Sequence, residues 1–318
     1  MLTVDDPSDE SGRHDDVDRR ILAELRTDGR IGPGELAGRL GLSRTTVTKR
    51  LASILGDGRT RVVGLVHPTT LGISSYAHVS VATVGSGREV AARLCGRPEI
   101  PFVSLVCGEF PMVVEVRARD DASLSAVLDS IRALDGVEST ETLLYTDLVR
   151  DVMSSGAVSA DWLDDLDRRI LALLQADGRL PYSAIAAGTG VSVGTARTRT
   201  LRLIDSGVVT IDVIPGSAGG RKVDIGLGFR VRGTVGESTA ILTKIPEIRF
   251  LAATLGRYDI VATMQVDSQR HAAPALERVR ALSTVVHVHG WVHLEPLKED
   301  YSYPMAIQGA RRYGGIIQ

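Results

Sequence analysis

Cysteine is nearly missing: Cys95 and Cys107 are the only two in 318 residues. That excludes a disulfide framework and a Cys-based zinc cluster, and both are expected as buried thiols. Aromatic residues make up only 4%, so the cores must be built from aliphatic side chains. No uncharged apolar run reaches the ~18 residues a membrane span needs, and MLTVDDPSDESGRHDD has neither the basic start nor the apolar stretch of a signal peptide. A cytoplasmic chain without a membrane partner is expected. Charge of one sign is also lacking, with 37 Lys and Arg against 39 Asp and Glu for a net charge of -2. Any nucleic-acid signal must therefore be local. What is present is ordinary globular usage, 43% hydrophobic and 24% charged, in a chain long enough for about two domains.

The chain repeats itself. Residues 16–58, DVDRRILAELRTDGRIGPGELAGRLGLSRTTVTKRLASILGDG, align without gaps to residues 165–207, DLDRRILALLQADGRLPYSAIAAGTGVSVGTARTRTLRLIDSG, with 17 of 43 positions identical at an offset of 149. A period of half the chain means a duplicated unit rather than a solenoid. Each copy reads as three helices. Asp16 and Asp165 cap the first, Asp28-Gly29 and Asp177-Gly178 stop it, and a short second helix ends at Gly41 or Gly190. Ser43 or Ser192 then caps a third helix, which is the helix-turn-helix arrangement. That third helix carries the local positive charge: Arg44, Lys49 and Arg50, with Arg59 and Arg61 beyond, opposed by Asp57. The second copy has Arg197, Arg199 and Arg202 against Asp205. Thr45, Thr46, Thr48 and Thr195 are short hydroxyls suited to base edges or phosphates near a helix N-terminus. The β-branched stretches 59–68 and 208–216 read as the wing and exit strand of each head.

The rest of each copy reads βαββαβ, the ferredoxin-like plan. In the first, strands are expected over 75–84, Phe102–Cys107, Met112–Arg117 and Val137–Leu148, with helices over 87–94 and 120–134. In the second, strands fall at Ile225–Val235, Phe250–Leu255, Ile260–Val266 and Val285–Glu295, with helices at Ser238–Ile245 and Gln269–Leu282. Two helices cover one sheet face, leaving the other in need of a partner. The fold class is α+β: two repeats, each a winged helix-turn-helix followed by a βαββαβ ferredoxin-like domain, an αβ-sandwich to which the resemblance described below adds effector and dimerisation roles. The expected boundaries are a flexible 1–14, heads at 15–68 and 161–214, ferredoxin-like domains at 72–150 and 222–300, and a tail at 301–318 in which YSYP and RRYGG can pack on a neighbour.

A winged helix-turn-helix followed by βαββαβ resembles the Lrp/AsnC family of feast/famine regulators. The resemblance is carried by DVDRRILAELRTDGR, GLSRTTVTKR, RVVGLVHPTTLG and PEIRFLAATLGRYDIVATMQV. It implies a transcriptional regulator that binds double-stranded DNA, responds to an amino acid or related small molecule, and forms a homo-oligomer, a dimer or higher, through the ferredoxin-like domains. It also implies a sensing turn of Gly-x-x-Asp form between the middle strands. Gly256, Tyr258 and Asp259 match it, with Asp259 accepting an ammonium and Gly256 admitting the ligand. In the first copy Pro111 stands where the Asp belongs, leaving Glu109 as the alternative carboxylate, so sensing is expected mainly in the second. GLSRTTVTKR keeps the family pattern while the second copy has Val193 and Gly194, so Arg50→Ala is expected to weaken DNA binding more than Arg199→Ala. The two heads are expected to form an intramolecular pseudo-dimer.

No catalytic residue, cofactor or metal site emerges. No nucleophile elbow, Walker loop, His-Glu-x-x-His motif or dinucleotide fingerprint is present, and the Gly-rich GSAGGR at 216–221 reads as a loop. In VVHVHGWVHLE, alternation puts Val286, Val288, Val292 and Leu294 on a face toward the helices, and His287, His289, Trp291 and His293 toward a partner sheet or pocket. Two His at i and i+2 can share a metal, but no Cys or carboxylate set completes a site. Such a face would make association pH-sensitive near ~6.5. Two alternatives compete. One is an enzyme like the sirohaem decarboxylases, which share this fused architecture but carry a His-bearing Asn-Gly-Met pattern where this chain has GRYDIVATM. The other is a ligand-sensing module without DNA binding.

Overall fold

A computed structural model of the chain describes residues 7–56, 60–151, 158, 160–215 and 222–301, the side chains of 7–16 and 215 excepted. The expectations placed on Asp57, Arg59, GSAGGR and the tail beyond Tyr301 lie outside the described residues. In chain order come α1 (Pro7–Thr27), α2 (Pro33–Leu40), α3 (Arg44–Gly56), β1 (Thr60–Val66), β2 (Ser75–Thr83), α4 (Gly87–Cys95), β3 (Phe102–Cys107), β4 (Met112–Ala118), α5 (Asp121–Arg132) and β5 (Val137–Arg150). The same order follows in α6 (Asp165–Ala176), α7 (Tyr182–Thr189), α8 (Val193–Asp205), β6 (Val209–Pro215), β7 (Val223–Val231), α9 (Val235–Leu242), β8 (Ile248–Leu255), β9 (Ile260–Val266), α10 (Gln269–Arg280) and β10 (Val285–Glu299). Backbone contacts divide these elements into two compact units.

One unit holds both helical trios with β1 and β6. Each trio closes on its own core, Ile21, Leu25, Leu36 and Val47 in one and Ile170, Leu174, Ile185 and Ala196 in the other. Gly41 and Gly190 end the second helices in the left-handed region, at φ 66 and 74, which an L side chain resists. Helix α1 begins at Pro7, so the expected Asp16 cap lies inside the helix and the segment expected to be flexible is helical from Pro7 onward. Pro at the first helical position has a φ already suited to a helix start.

The stretches expected as separate wings instead pair with each other: β1 and β6 form a two-stranded sheet. A single strand has an unpaired edge, and here each head supplies the other's partner. The turns after α1 and α6 complete the junction. Gly178 N–H donates to Val62 O at 2.8 Å. Arg30 donates to the carbonyls of Gly178 and Leu180, and Arg179 reciprocally to those of Gly29 and Ile31. A Cβ on Gly29 would lie 2.6 Å from Ile211 O and one on Gly178 2.8 Å from Val63 C, so both turns need glycine.

The other unit is a closed, antiparallel eight-stranded barrel in the order β10-β3-β4-β2-β5-β8-β9-β7. Its seams join β5 to β8 and β10 to β3. Alternation sends Ala77, Val79, Val81, Val114 and Val116 outward to a core under α4 and α5, and Ile225, Leu227, Ile260 and Ala262 to a second core under α9 and α10. The long closing strands cross between them. Leu297 of β10 packs on the first core and Val149 of β5 on the second.

Several strand expectations change with this closure. Strand β7 stops at Val231 rather than Val235, because Gly233 turns at φ 82 and Thr234 and Glu237 form a capping box that starts α9 at Val235. Val286, Val292 and Leu294 are exposed, at 59%, 37% and 65%. Helices shield only the early part of β10, where a bulge after Val285 lets Val285 and Val288 reach the core. Cys107 is exposed rather than buried, since it pairs with Val292 at the same uncovered seam, and Cys95 is half-buried.

Candidate nucleic-acid interface and effector site

Each third helix begins with the same local device. Ser43 Oγ accepts from Thr46 N–H at 3.1 Å and lies 2.8 Å from its hydroxyl. Ser192 repeats this with Thr195, at 3.1 and 2.9 Å. The two serines therefore satisfy helix donors instead of standing ready for a ligand. Arg44, Thr45, Thr46, Thr48 and Lys49 project to solvent from α3, while Val47 and Leu51 anchor it. On α8, Thr195, Arg197 and Arg202 are exposed beside Val193 and Thr198, and Ala196 and Leu203 face inward. Thr48 Oγ1 also donates to Arg44 O.

Arg50 and Arg199 are engaged within the heads. Arg50 pairs with Asp18 at 3.4 Å and Arg199 with Asp167 at 2.9 Å, each tying its third helix to its first. Asp167 is fully buried, whereas the Asp18 side chain keeps a third of its exposure. The signal was present in the repeat: DxDRR and the Arg after the Thr-rich turn recur at equal spacing in both copies.

The turns 108–111 and 256–259 of the barrel unit meet at one mouth. Gly256 sits at φ 142, a conformation that L side chains resist, and the side chain and backbone it approaches are those of Leu143 and Thr142, so this close approach is to protein. Asp259 accepts from Arg230 Nη1 and Val231 N–H, both at 2.9 Å. An incoming ammonium would compete with that guanidinium. Tyr258 folds inward, is buried, and lies on Gly228, with a would-be Cβ 2.5 Å from its ring. Glu109 faces Arg257 at 2.7 Å, with Glu141 at 3.4 Å. Hydrogen bonding to Glu109 holds the Arg257 pKa above its ordinary value, and burial raises that of Tyr258.

Between these groups opens a narrow cleft, lined by Ser80, Glu109, Phe110, Glu141, Arg257, Tyr258, His289 and Trp291 among others. Of the three expected ligand residues only Tyr258 lines it. A column of rings continues inward: His289 stacks on Tyr258 at 5.8 Å, and Trp291 lies 5.4 Å from His78. His289 Nδ1, Trp291 Nε1 and His293 Nε2 are buried without a hydrogen-bond partner among the described residues. Burial, with His293 nearby, lowers the His78 pKa to about 3, and burial lowers His293 to about 4. Both rings are neutral near pH ~6.5. The alternation in β2 had marked His78 and Ser80 as opposite to Ala77, Val79 and Val81, and so could have placed them in the barrel. At its other end the interior holds Arg117, fully buried, paired with Glu115 and with Asp151 at 3.0 Å and lying under Tyr301.

Residues 15–53 match the AsnC-type helix-turn-helix domain, 76–153 the Lrp/AsnC ligand binding domain, and 163–210 a winged helix-turn-helix DNA-binding model. The HTH-type transcriptional regulator FL11 of Pyrococcus furiosus is 30% identical over 132 residues, 41% of this chain and 87% of the relative. That of Pyrococcus abyssi is 33% identical over the same length and shares. Among solved structures, the siroheme decarboxylase NirDL superposes with a TM-score of 0.61 at 15% identity, covering 89% of this chain and 92% of its own. At that identity the likeness is one of fold. Among the described residues no helix is long and apolar enough to cross a membrane.

Proposed function

This chain belongs to the Lrp/AsnC family of helix-turn-helix transcriptional regulators, and from that premise we propose that it is two family units fused into one DNA-reading, effector-responsive chain. As a DNA-binding transcriptional regulator, it places two reading heads in one compact unit and two βαββαβ halves in the other. A relative matched over 87% of its own length accounts for only 41% of this chain, which supports the fusion. The heads are 15–68 and 161–214, and the effector halves 72–150 and 222–300.

The observation that carries DNA binding is α3 itself: a capped helix behind a glycine turn, with Arg44, Thr45, Thr46, Thr48 and Lys49 all exposed at its N-terminal end. Arg197, Arg202 and Thr195 are the corresponding contacts on α8. Ser43 and Ser192 shape the helix starts, and Arg50 and Arg199 brace them. The effector is a small molecule of amino-acid type, with Tyr258 of the second half at the barrel cleft and Asp259 behind it. Association of chains is supported by the uncovered apolar side chains Leu144, Leu255, Val292 and Leu294 at the two seams. A cytoplasmic, non-enzymatic role follows from the regulator reading.

The test is a titration of the full chain against its own upstream DNA over a range of salt, repeated with individual amino acids. Salt-sensitive binding whose slope falls by about one on Lys49→Ala supports the reading, as does an amino-acid shift lost in Asp259→Ala. Absence of duplex binding together with uptake of a tetrapyrrole visible by absorbance would overturn it in favour of a decarboxylase-like enzyme.

A further inference from the structure

The two recognition helices start with identical caps and continue with different chemistry. At the offset of 149, Arg44 corresponds to Val193, Thr45 to Gly194, Thr48 to Arg197 and Lys49 to Thr198. All eight positions are exposed. Val193 is the informative one, an apolar side chain 52% exposed in the first turn of α8, where the other head presents a guanidinium. Neither core uses it, since α8 is anchored by Ala196, Thr200 and Leu203.

From these positions we propose that one chain reads an asymmetric operator, two unequal half-sites rather than a palindrome. The inference rests on the DNA-binding reading above. A symmetric dimer mirrors its two-fold axis in its operator because both heads carry the same side chains. Here the heads are bound into one unit by β1 and β6 and by the reciprocal Arg30 and Arg179 contacts, so unlike helices are presented together. At the half-site under α3, Arg44 supplies the forked donors that match guanine O6 and N7 in the major groove. At the half-site under α8, Val193 has no polar atom and complements the thymine C5-methyl, while Gly194 removes the side chain beside it. The cations are also displaced. Position 48 is Thr and 49 Lys on α3, whereas their counterparts on α8 are Arg197 and Thr198, so the phosphate or base reached by each head differs by one helical position.

The test is selection from a randomised duplex library with the full-length chain, run in parallel with Val193→Arg and Arg44→Val. Wild type is expected to enrich pairs of half-sites about one helical turn apart that are not inverted copies, with a G·C preference under α3 and a T·A preference under α8. Val193→Arg is expected to convert only the second half-site toward G·C, with roughly ten- to hundredfold discrimination at that base pair, and Arg44→Val to relax only the first. A wild-type pair of half-sites that is an inverted repeat, or substitutions that leave base preference unchanged, would overturn the asymmetric operator while leaving DNA binding intact. Failure to retain any duplex would overturn both.

Discussion

Acidification is expected to loosen the barrel through two buried imidazoles. His78 and His293 have folded pKa values of about 3 and about 4, against about 6.5 for an unperturbed His. Both are lowered chiefly by burial, which penalises the charged ring, and His78 also by the neighbouring His293. Between the folded and unfolded values the unfolded chain binds more protons, so stability is full above ~6.5 and is lost as pH falls below it. From about pH 7 to about pH 5 each ring costs roughly 2 kcal/mol, and the pair about 4. Glu115 acts in the opposite sense. Its pKa is raised, first by burial, so protonation favours the folded state as pH falls. The contribution of one ring is isolated by comparing wild type with His78→Gln in urea titrations at both pH values. Wild type should lose about 2 kcal/mol more than the variant on acidification. Equal losses would refute the reasoning, since they would mean that the ring is not held neutral by its place among Ser80, Trp291 and His293.

Other substitutions test separate parts of the architecture. Gly226→Ala would put a Cβ 2.0 Å from Trp291 Cε2, so urea melts should show a loss of about 2–3 kcal/mol. Adding Trp291→Leu should recover much of it, because in the first half the corresponding pair is His78 against Leu143. Arg199→Ala should destabilise by about 2 kcal/mol through the buried Asp167, and Arg50→Ala by about 0.5 kcal/mol because Asp18 is partly solvated. Urea midpoints that reverse this order would contradict the pairing. Removing both Arg30 and Arg179 should cost roughly 2 kcal/mol each, read as a lower first transition in calorimetry, with weaker DNA binding in the same protein.

The local features were legible because their causes are local. Helix stops at Asp28-Gly29 and Asp177-Gly178, the Ser43 and Ser192 caps, and the alternation of β2 and β4 all follow from residues within a few positions of one another. Other features have non-local causes or competing local ones. Strand β7 stops at Val231, short of the expected Val235, because the Thr234 and Glu237 capping box competes with the β-branched residues there. Val292, Leu294 and Cys107 are exposed although expected at covered positions, because alternation states which residues share a face but not whether anything covers that face.

The twofold order of elements, the two unlike third helices and the absence of a disulfide framework depend on composition, periodicity and spacing, and all three can be read from the chain. What each half does for the other is a property of the folded molecule. Pairing β1 with β6, joining β5 to β8 and β10 to β3, setting Arg257 against Glu109, and occupying Asp259 with Arg230 bring together groups far apart in the chain or on different strands. Such contacts are selected by closure of the barrel and burial of strand edges, and no local pattern encodes which distant partner will satisfy them.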